Sequence, residues 1–456
     1  LAMQGADIIF NLSASNEVVG KNNYRKSLIL QQSGRCLSAY VYSSAGNGES
    51  TTDLVFSGAC FIAENAVMLA EGKRFSLENE IIIADIDINA LRNERVKSSN
   101  YLPPKEKSFH EIVCAIEPIS VPFIYRKINP YPFLPTQSFE NENLSEVFTI
   151  QVHGLIKRLQ HTGLNKVVIG ISGGLDSTLA LLVVAKTFEI LEIPRKNIYG
   201  ITMSGFGTTE RTYKNAVMLI QSIGATLNEI SIVNSVKQHF EDIEFDINDH
   251  SVTFENAQAR ERMQILMDYA NKVDGLVIGT GNLSELALGW TTYNGDQMSM
   301  YSVNSGVPKT LVKSLVRWIA ETQMEESVRE ILYDIIATPF SPELLPAGEE
   351  GKIAQKTEEV IGPYELHDFF LYRMFRYGDE PGRIVFLASQ AFGDKYSIEE
   401  IVKWLKVFYK RFFSQQFKRS CMPDGPKVGS VNLSPRGDWR MPSDAVVKTW
   451  LEQLEN

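Results

Sequence analysis

At 456 residues the chain is too long for one small core, and its 44% hydrophobic and 22% charged residues are ordinary globular values, so two or more domains are expected. A net charge of −10 provides no basic stripe to neutralise a phosphate backbone, which argues against a nucleic-acid partner. Cys36, Cys60, Cys114 and Cys421 are scattered without C-x-x-C pairing, so no zinc site or disulfide framework is expected, and a reducing cytoplasm is the default. The longest apolar runs, such as Leu179 to Ala185, are too short to cross a bilayer, and no signal peptide is read.

The chain opens by passing directly into strand-like Ile8-Ile9-Phe10, which reads as the middle of a domain. Strand-like runs follow at Leu37 to Ser43, Leu54 to Phe56, Ala59 to Ile62 and Glu80 to Ile86. One helix is predicted over Lys21 to Gly34, with Tyr24, Leu28, Ile29 and Gln32 at helical spacing. Gly- and Ser-rich loops such as Ala45 to Asp53 carry the turns. Tyr101 to Asn143 holds Leu102-Pro-Pro, Pro118, Pro122, Pro130, Pro132 and Pro135 and reads as an extended connection. The expected division is a first domain over 1–130, a linker over 131–144 and a second domain over 145–456, opening on a helix from Leu144 to Leu159.

From Lys166 the pattern alternates. Strands are predicted at Val167 to Ile171, Ile198 to Met203, Leu227 to Ile232 and Gly275 to Gly279. Helices at Thr178 to Phe188, Glu210 to Ile223 and Asn256 to Lys272 separate them, the last with Ala257, Met263, Leu266, Met267 and Ala270 on one face. This alternation implies an α/β doubly wound parallel sheet, whose ligands sit at the carboxyl ends of the strands. The loops Ser172 to Ser177, Ser204 to Thr209 and Thr280 to Glu285 would share that rim.

The first of these loops stands in Lys166-Val-Val-Ile-Gly-Ile-Ser-Gly-Gly-Leu-Asp-Ser-Thr178, a strand, a Gly-Gly turn and a helix start. That arrangement points backbone N–H groups at an anion, with Ser172 and Ser177 adding hydroxyls. It lacks the Gly-Lys-Ser/Thr ending of a Walker A loop and the G-x-G-x-x-G of a dinucleotide fingerprint. An acid in a phosphate turn needs a cation beside it, so Asp176 reads as a magnesium ligand. The third loop begins Gly279-Thr-Gly-Asn-Leu-Ser-Glu285. There Thr280 is placed to hydrogen-bond a nucleotide, and Glu285 could clamp the same Mg²⁺ from a second strand end.

The Ser-Gly-Gly-x-Asp-Ser pattern resembles the pyrophosphate loop of the ATP pyrophosphatases, which adenylate a carbonyl oxygen. In the first part, Asn11-Leu-Ser-Ala-Ser15, Gly20-Lys21, Tyr40 to Gly46 and Gly58 to Asn65 resemble the second half of a nitrilase-type amidase sandwich. Further along, Val307-Pro-Lys-Thr-Leu311, Ser341-Pro-Glu-Leu344, Gly362-Pro-Tyr-Glu-Leu366, Gln416 to Ser420, Gly425-Pro-Lys427 and Ser434 to Trp439 stand in the order of the glutamine-dependent NAD synthetases. The resemblance to that family covers essentially the whole chain.

The resemblance implies an adenine nucleotide alpha hydrolase-like second domain behind a partial glutaminase. It implies an ATP site at Gly170, Ile171, Ser172, Gly173, Gly174, Leu175, Asp176, Ser177 and Thr280. Deamido-NAD contacts would come from Asn256, Glu285, Trp290, Thr291, Thr292, Tyr293 and Lys418, and glutamine contacts from Ser15 and Lys21. Asp176 and Glu285 would hold Mg²⁺, and Lys309, Lys427 and Arg436 are further phosphate candidates. The family's Glu-Lys-Cys triad falls before the position matching Leu1, and neither Cys36 nor Cys60 has the nucleophile's context. A chain beginning at Leu1 is therefore expected to use ammonia and fail with glutamine. The implied reaction is ATP-dependent amidation of deamido-NAD to NAD, by a cytoplasmic homo-oligomer acting on small molecules with no nucleic acid and no membrane. Another ATP pyrophosphatase such as a GMP synthetase or a tRNA-modifying adenylase, or an inactive nucleotide-binding module, is the alternative.

Overall fold

The computed structural model describes residues 1–99, 101, 109–117, 124–338, 344 and 357–455. Leu102-Pro-Pro, Pro118, Pro122 and all of Ser341-Pro-Glu-Leu344 except its leucine lie outside the described residues. The chain forms two units, Leu1–Asn129 with Arg373–Ala391, and Pro130–Tyr372 with Phe392–Asn456.

The first unit is built from β1 (Ile8–Ser13), α1 (Lys21–Cys36), β2 (Ala39–Ser44), β3 (Cys60–Glu64), β4 (Val67–Glu71) and α2 (Ile88–Lys97). Its sheet runs β1-β2-β3-β4, with β1 parallel to β2 and the other pairs antiparallel. Asn65 and Ala66 join β3 to β4 with φ of 44° and 67°, the doubly left-handed pair of a tight hairpin. The buried positions of α1 are Arg25, Ile29 and Ser33, whereas Tyr24 and Leu28 are exposed. The helix forms as expected, with Ile29 inward and Arg25 turned in beside it to meet Glu17. Two expected strands do not form: Leu54 makes only an isolated bridge to Thr51, and Glu80 to Ile86 joins no sheet. Strand propensity acts only where a neighbouring edge offers hydrogen bonds. The expected set also missed β4 and α2.

The second unit carries the alternation in order: α3 (Glu140–Thr162), β5 (Val167–Gly170), α4 (Leu175–Ile190), β6 (Ile198–Ser204), α5 (Glu210–Ile223), β7 (Thr226–Ser231), α6 (Val233–Asp242), α7 (Val252–Val273), β8 (Leu276–Gly279), α8 (Leu283–Leu288), β9 (Tyr301–Ser302), α9 (Lys309–Gln323) and α10 (Glu326–Ala337). After it come α11 (Thr357–Ile361), α12 (Tyr364–Tyr372), α14 (Ile398–Ser414) and α15 (Gln416–Ser420), whereas α13 (Pro381–Phe392) belongs, but for its last residue, to the first unit.

All strand pairs are parallel, in the order β7-β6-β5-β8-β9. Side chains alternate between faces. Val167 and Ile169 pack with the helices α3, α4, α9 and α10, while Val168, Ile201 and Val277 pack with α6 and α7. Helices on both faces make the sheet doubly wound, as expected, with β9 an additional short edge. Connections turn one way from β5 to β6 and the other way to β8, so the crevice between the ends of β5 and β8 is the topological switch point. Among the described residues no helix is long and apolar enough to cross a membrane.

Candidate active site at the switch point

The chain leaves β5 through Ile171-Ser172-Gly173-Gly174 and enters α4 at Leu175, three residues earlier than the apolar pattern predicts. Asp176 and Ser177 therefore lie in the first turn of a helix, where N–H groups lack intrahelical partners. Gly173 has φ of +85°, and a Cβ there would sit 2.1 Å from the Thr212 carbonyl oxygen, so only glycine fits. Ile171 and Leu175 are buried and Ser172 is exposed at the rim. The Ser172 and Ser177 hydroxyls lie 3.2 Å apart, and Ser177 Oγ donates to the Gly174 carbonyl at 3.1 Å.

From β8 the chain passes Thr280 into α8, a single short helix. Asn282 caps it by accepting from Glu285 N at 3.0 Å, while Glu285 Oε2 accepts from Asn282 N at 3.2 Å. This reciprocal capping box fixes where Glu285 points. Asn282 Nδ2 also donates to Asp176 Oδ1 at 2.9 Å, and Asn304 Nδ2 bridges the carbonyls of Asp176 and Thr280 at 2.9 and 3.1 Å. The two motifs, over a hundred residues apart in sequence, are thus bonded to each other.

Lys309, the first residue of α9, completes the cluster. Its Nζ donates to Asp176 Oδ2, and Glu285 Oε1 lies 3.5 Å away. Burial pushes the Glu285 carboxyl up, the Asp176 charge adds to this, and Lys309 opposes both, leaving it at about 8. Burial disfavours the Lys309 ammonium, yet the Asp176 and Glu285 carboxylates outweigh it and raise its pKa. The Lys309 Nζ also lies 5.5 Å from the centroid of the buried Tyr364 ring.

A second cluster surrounds the loop after α8. Lys418 Nζ donates to the carbonyls of Gly289 and Thr291 at 2.9 and 2.6 Å. Burial, with Arg411 nearby, lowers its pKa to about 8. Thr292 Oγ1 donates to Asn256 Oδ1 at 2.8 Å, joining the loop to α7. Trp290 lies under the Arg411 guanidinium, 4.9 Å from ring centroid to carbon, and the exposed Tyr293 packs on Phe417. Of the other two cations, Lys427 pairs with Asp438, and Arg436 binds Asp424 and the carbonyls of Met422 and Pro423. Both fasten the C-terminal segment to itself.

A family model described as NAD synthase matches residues 147–411. The glutamine-dependent NAD(+) synthetase of Mycobacterium leprae is 42% identical over 486 aligned positions, spanning 100% of this chain and 71% of the relative. The chain belongs to the glutamine-dependent NAD(+) synthetase family. The Thermotoga maritima member is 28% identical over 96% of this chain and 70% of its own length. The fold is that of the Cytophaga hutchinsonii glutamine-dependent NAD(+) synthetase crystal structure, with TM-score 0.59 and 19% identity, covering 100% of this chain and 72% of that one.

In the first unit of this family member, the two residues expected to contact glutamine have local partners. Lys21 Nζ donates to the Asn16 carbonyl at 2.7 Å and to Asn16 Oδ1 at 3.1 Å. Ser15 Oγ accepts from Arg25 at 3.4 Å, and Arg25 also donates to Glu17 at 2.7 Å. Asn282, Asn304 and Arg25 escaped the sequence reading. Only Asn282 carried a usable signal, the Asn-x-x-Glu spacing of a capping box.

Proposed function

We propose that this chain amidates the nicotinate carboxylate of deamido-NAD at the expense of ATP, giving NAD, AMP and pyrophosphate, with ammonia supplied from glutamine in the complete enzyme. The observation that carries the reading is the convergence of Asp176, Glu285 and Lys309 at the β5–β8 crevice, beside a helix start opened by Gly173 and Gly174.

A carboxylate is a poor electrophile because its charge is spread over two oxygens. In the proposed first step one of these oxygens attacks the α-phosphorus of ATP, and the bond to pyrophosphate breaks. The departing pyrophosphate accumulates negative charge, which the α4 N-terminus and the Lys309 ammonium are suited to stabilise. Ammonia then attacks the acyl carbon, loses a proton, and expels AMP. No side-chain nucleophile is required, so the chain's residues act by orientation and charge. Trp290 and Tyr293 offer aromatic faces to a planar ring, with Asn256, Thr291, Thr292 and Lys418 forming their polar surround.

Magnesium belongs to this reading. Asp176 and Glu285 supply hard oxygen donors that already face one cation, the Lys309 ammonium, and Mg²⁺ is commonly held by one or two carboxylates together with substrate phosphates. When bound it would neutralise charge on the leaving pyrophosphate. All four cysteines are free, which suits a cytoplasmic enzyme. The test is product analysis with ammonium, ATP and deamido-NAD: AMP and NAD should appear in equal amounts. Pyrophosphate release without deamido-NAD, or ADP as product, would contradict the reading.

A further inference from the structure

Asp368, on α12, has a partner set that neither the ATP nor the deamido-NAD residues explain. It is 1% exposed, between His367 at 1% and Phe369 at 0%. Its Oδ1 accepts from Ser284 Oγ, and its Oδ2 accepts from Thr310 N at 3.0 Å and Thr310 Oγ1 at 2.7 Å. Ser284 precedes Glu285 on α8, and Thr310 follows Lys309 on α9. Ser284 Oγ in turn accepts from Lys309 N at 2.8 Å. The Ser284 proton is directed to Asp368, which leaves a hydroxyl lone pair aimed at the Lys309 amide.

Helix α9 needs this. Its first N–H groups have no intrahelical partners, and its N-cap is Pro308, which has no capping side chain. Ser284 and Asp368 provide the missing acceptors from two other helices, and a carboxylate is electrostatically favoured at a helix N-terminus. From the opposite end, Arg419, 1% exposed, donates to the carbonyls of Leu286 and Ala287 and holds the C-terminal turn of α8.

We infer that Asp368 is a positioning residue for carboxylate activation: through Ser284 and Thr310 it ties the start of α8 to the start of α9, and so sets the spacing of Glu285 and Lys309 around Asp176. The inference takes the name of the step from the proposed function, while the tie itself stands on the hydrogen bonds. A displacement of about 1 Å in a reacting group costs on the order of a hundredfold in rate, so loss of the tie acts on turnover before it acts on binding.

The test compares Asp368→Ala, Asp368→Asn and Arg419→Met in the full chain, measuring AMP formation, KM for ATP, melting temperature and the crystal structure of each folded variant. Asp368→Ala should lower kcat by about tenfold to a hundredfold with KM for ATP changed less than about twofold. Asp368→Asn, which keeps an acceptor for Thr310, should recover part of the loss. Arg419→Met should lower the melting temperature with a smaller fall in kcat. If Asp368→Ala does not fold, Ser284→Ala, which removes the hydroxyl's bonds to Asp368 and to Lys309 N, and Thr310→Val, which removes the Thr310 hydroxyl's bond to Asp368, replace it with the same kcat-selective expectation. A fall in kcat that only tracks melting temperature across the set overturns the inference. So does an unchanged separation of Lys309 Nζ from Glu285 in the crystal structure of a tie variant. That second readout needs no turnover, so it remains decisive even if the wild-type chain failed to form NAD, a result that would count against the proposed function alone.

Discussion

At the five-stranded sheet the residues following β5 and β8 meet across a shared ammonium, whereas in the unit built on the four-stranded sheet Lys21, at the start of α1, turns back onto Asn16, five residues away. The difference follows from how the strands run. Parallel strands buried on both faces deliver all their carboxyl ends, and the helix starts that follow, to one rim, so charges distant in sequence are forced together. The mixed sheet of the first unit has no such common rim. Its edge strand β1 exposes Phe10 by 71% and Leu12 by 86%, while Val167, Val168 and Ile169 of β5 are fully buried. Polar groups there bind one another within the unit: Arg25 and Ser57 both donate to Glu17 Oε1.

The comparison breaks most visibly if the shared cluster proves dispensable. Asp176→Asn and Glu285→Gln are each expected to lower the rate of AMP formation by about a hundredfold to a thousandfold, with a smaller change in ATP affinity, because the charge they manage grows in the transition state. Near-normal turnover at saturating Mg²⁺ would remove both from the proposed machinery. Lys418→Ala should act more mildly, raising KM for deamido-NAD by roughly tenfold and leaving KM for ATP nearly unchanged, since its ammonium fastens the Gly289–Thr291 backbone. Equal effects on the two substrates would detach Lys418 from the dinucleotide.

His367 probes the interior of the second unit by pH. Burial lowers its pKa from 6.5 to about 4, so between those values the unfolded chain binds the extra proton and stability falls as pH falls. The full contribution is on the order of 3 kcal/mol, and His367→Gln should flatten the acid limb of a denaturation series from pH 6.5 to 4. Asp368 beside it has the opposite sign, since burial raises it to about 6 and its contribution declines as pH rises from 3.8 to that value. An unchanged slope in the variant would mean His367 titrates normally. The smallest effect is expected in the first unit. Lys21→Ala should leave ammonium-driven NAD formation within about twofold, within the range of a substitution away from the chemistry. A large loss would tie the first unit's polar residues to that chemistry directly.

The parallel sheet was legible because Val167 to Ile171 and Gly275 to Gly279 are short apolar runs bounded by glycine turns and spaced by helical patterns. The pairing of Asp176 with Glu285 was legible once those strands were set side by side. Lys309 was readable only as a cation in a family motif, and its place between the carboxylates depends on how α9 docks. Asp368 was beyond reach, since no local pattern says that a residue on α12 will support two helix starts far from it in sequence. In the first unit α1 itself was legible, but the burial of Arg25 was not, because it follows from pairing with Glu17, which periodicity cannot anticipate.

The most direct measurement follows oxygen. Deamido-NAD carrying ¹⁸O in the nicotinate carboxylate is turned over with ATP and ammonium, and the products are weighed by mass spectrometry. Attack of that carboxylate on the α-phosphorus predicts one labelled oxygen in the phosphate of AMP and none in pyrophosphate. Label in pyrophosphate or inorganic phosphate, or in no phosphorus-containing product, would contradict adenylation at the β5–β8 crevice.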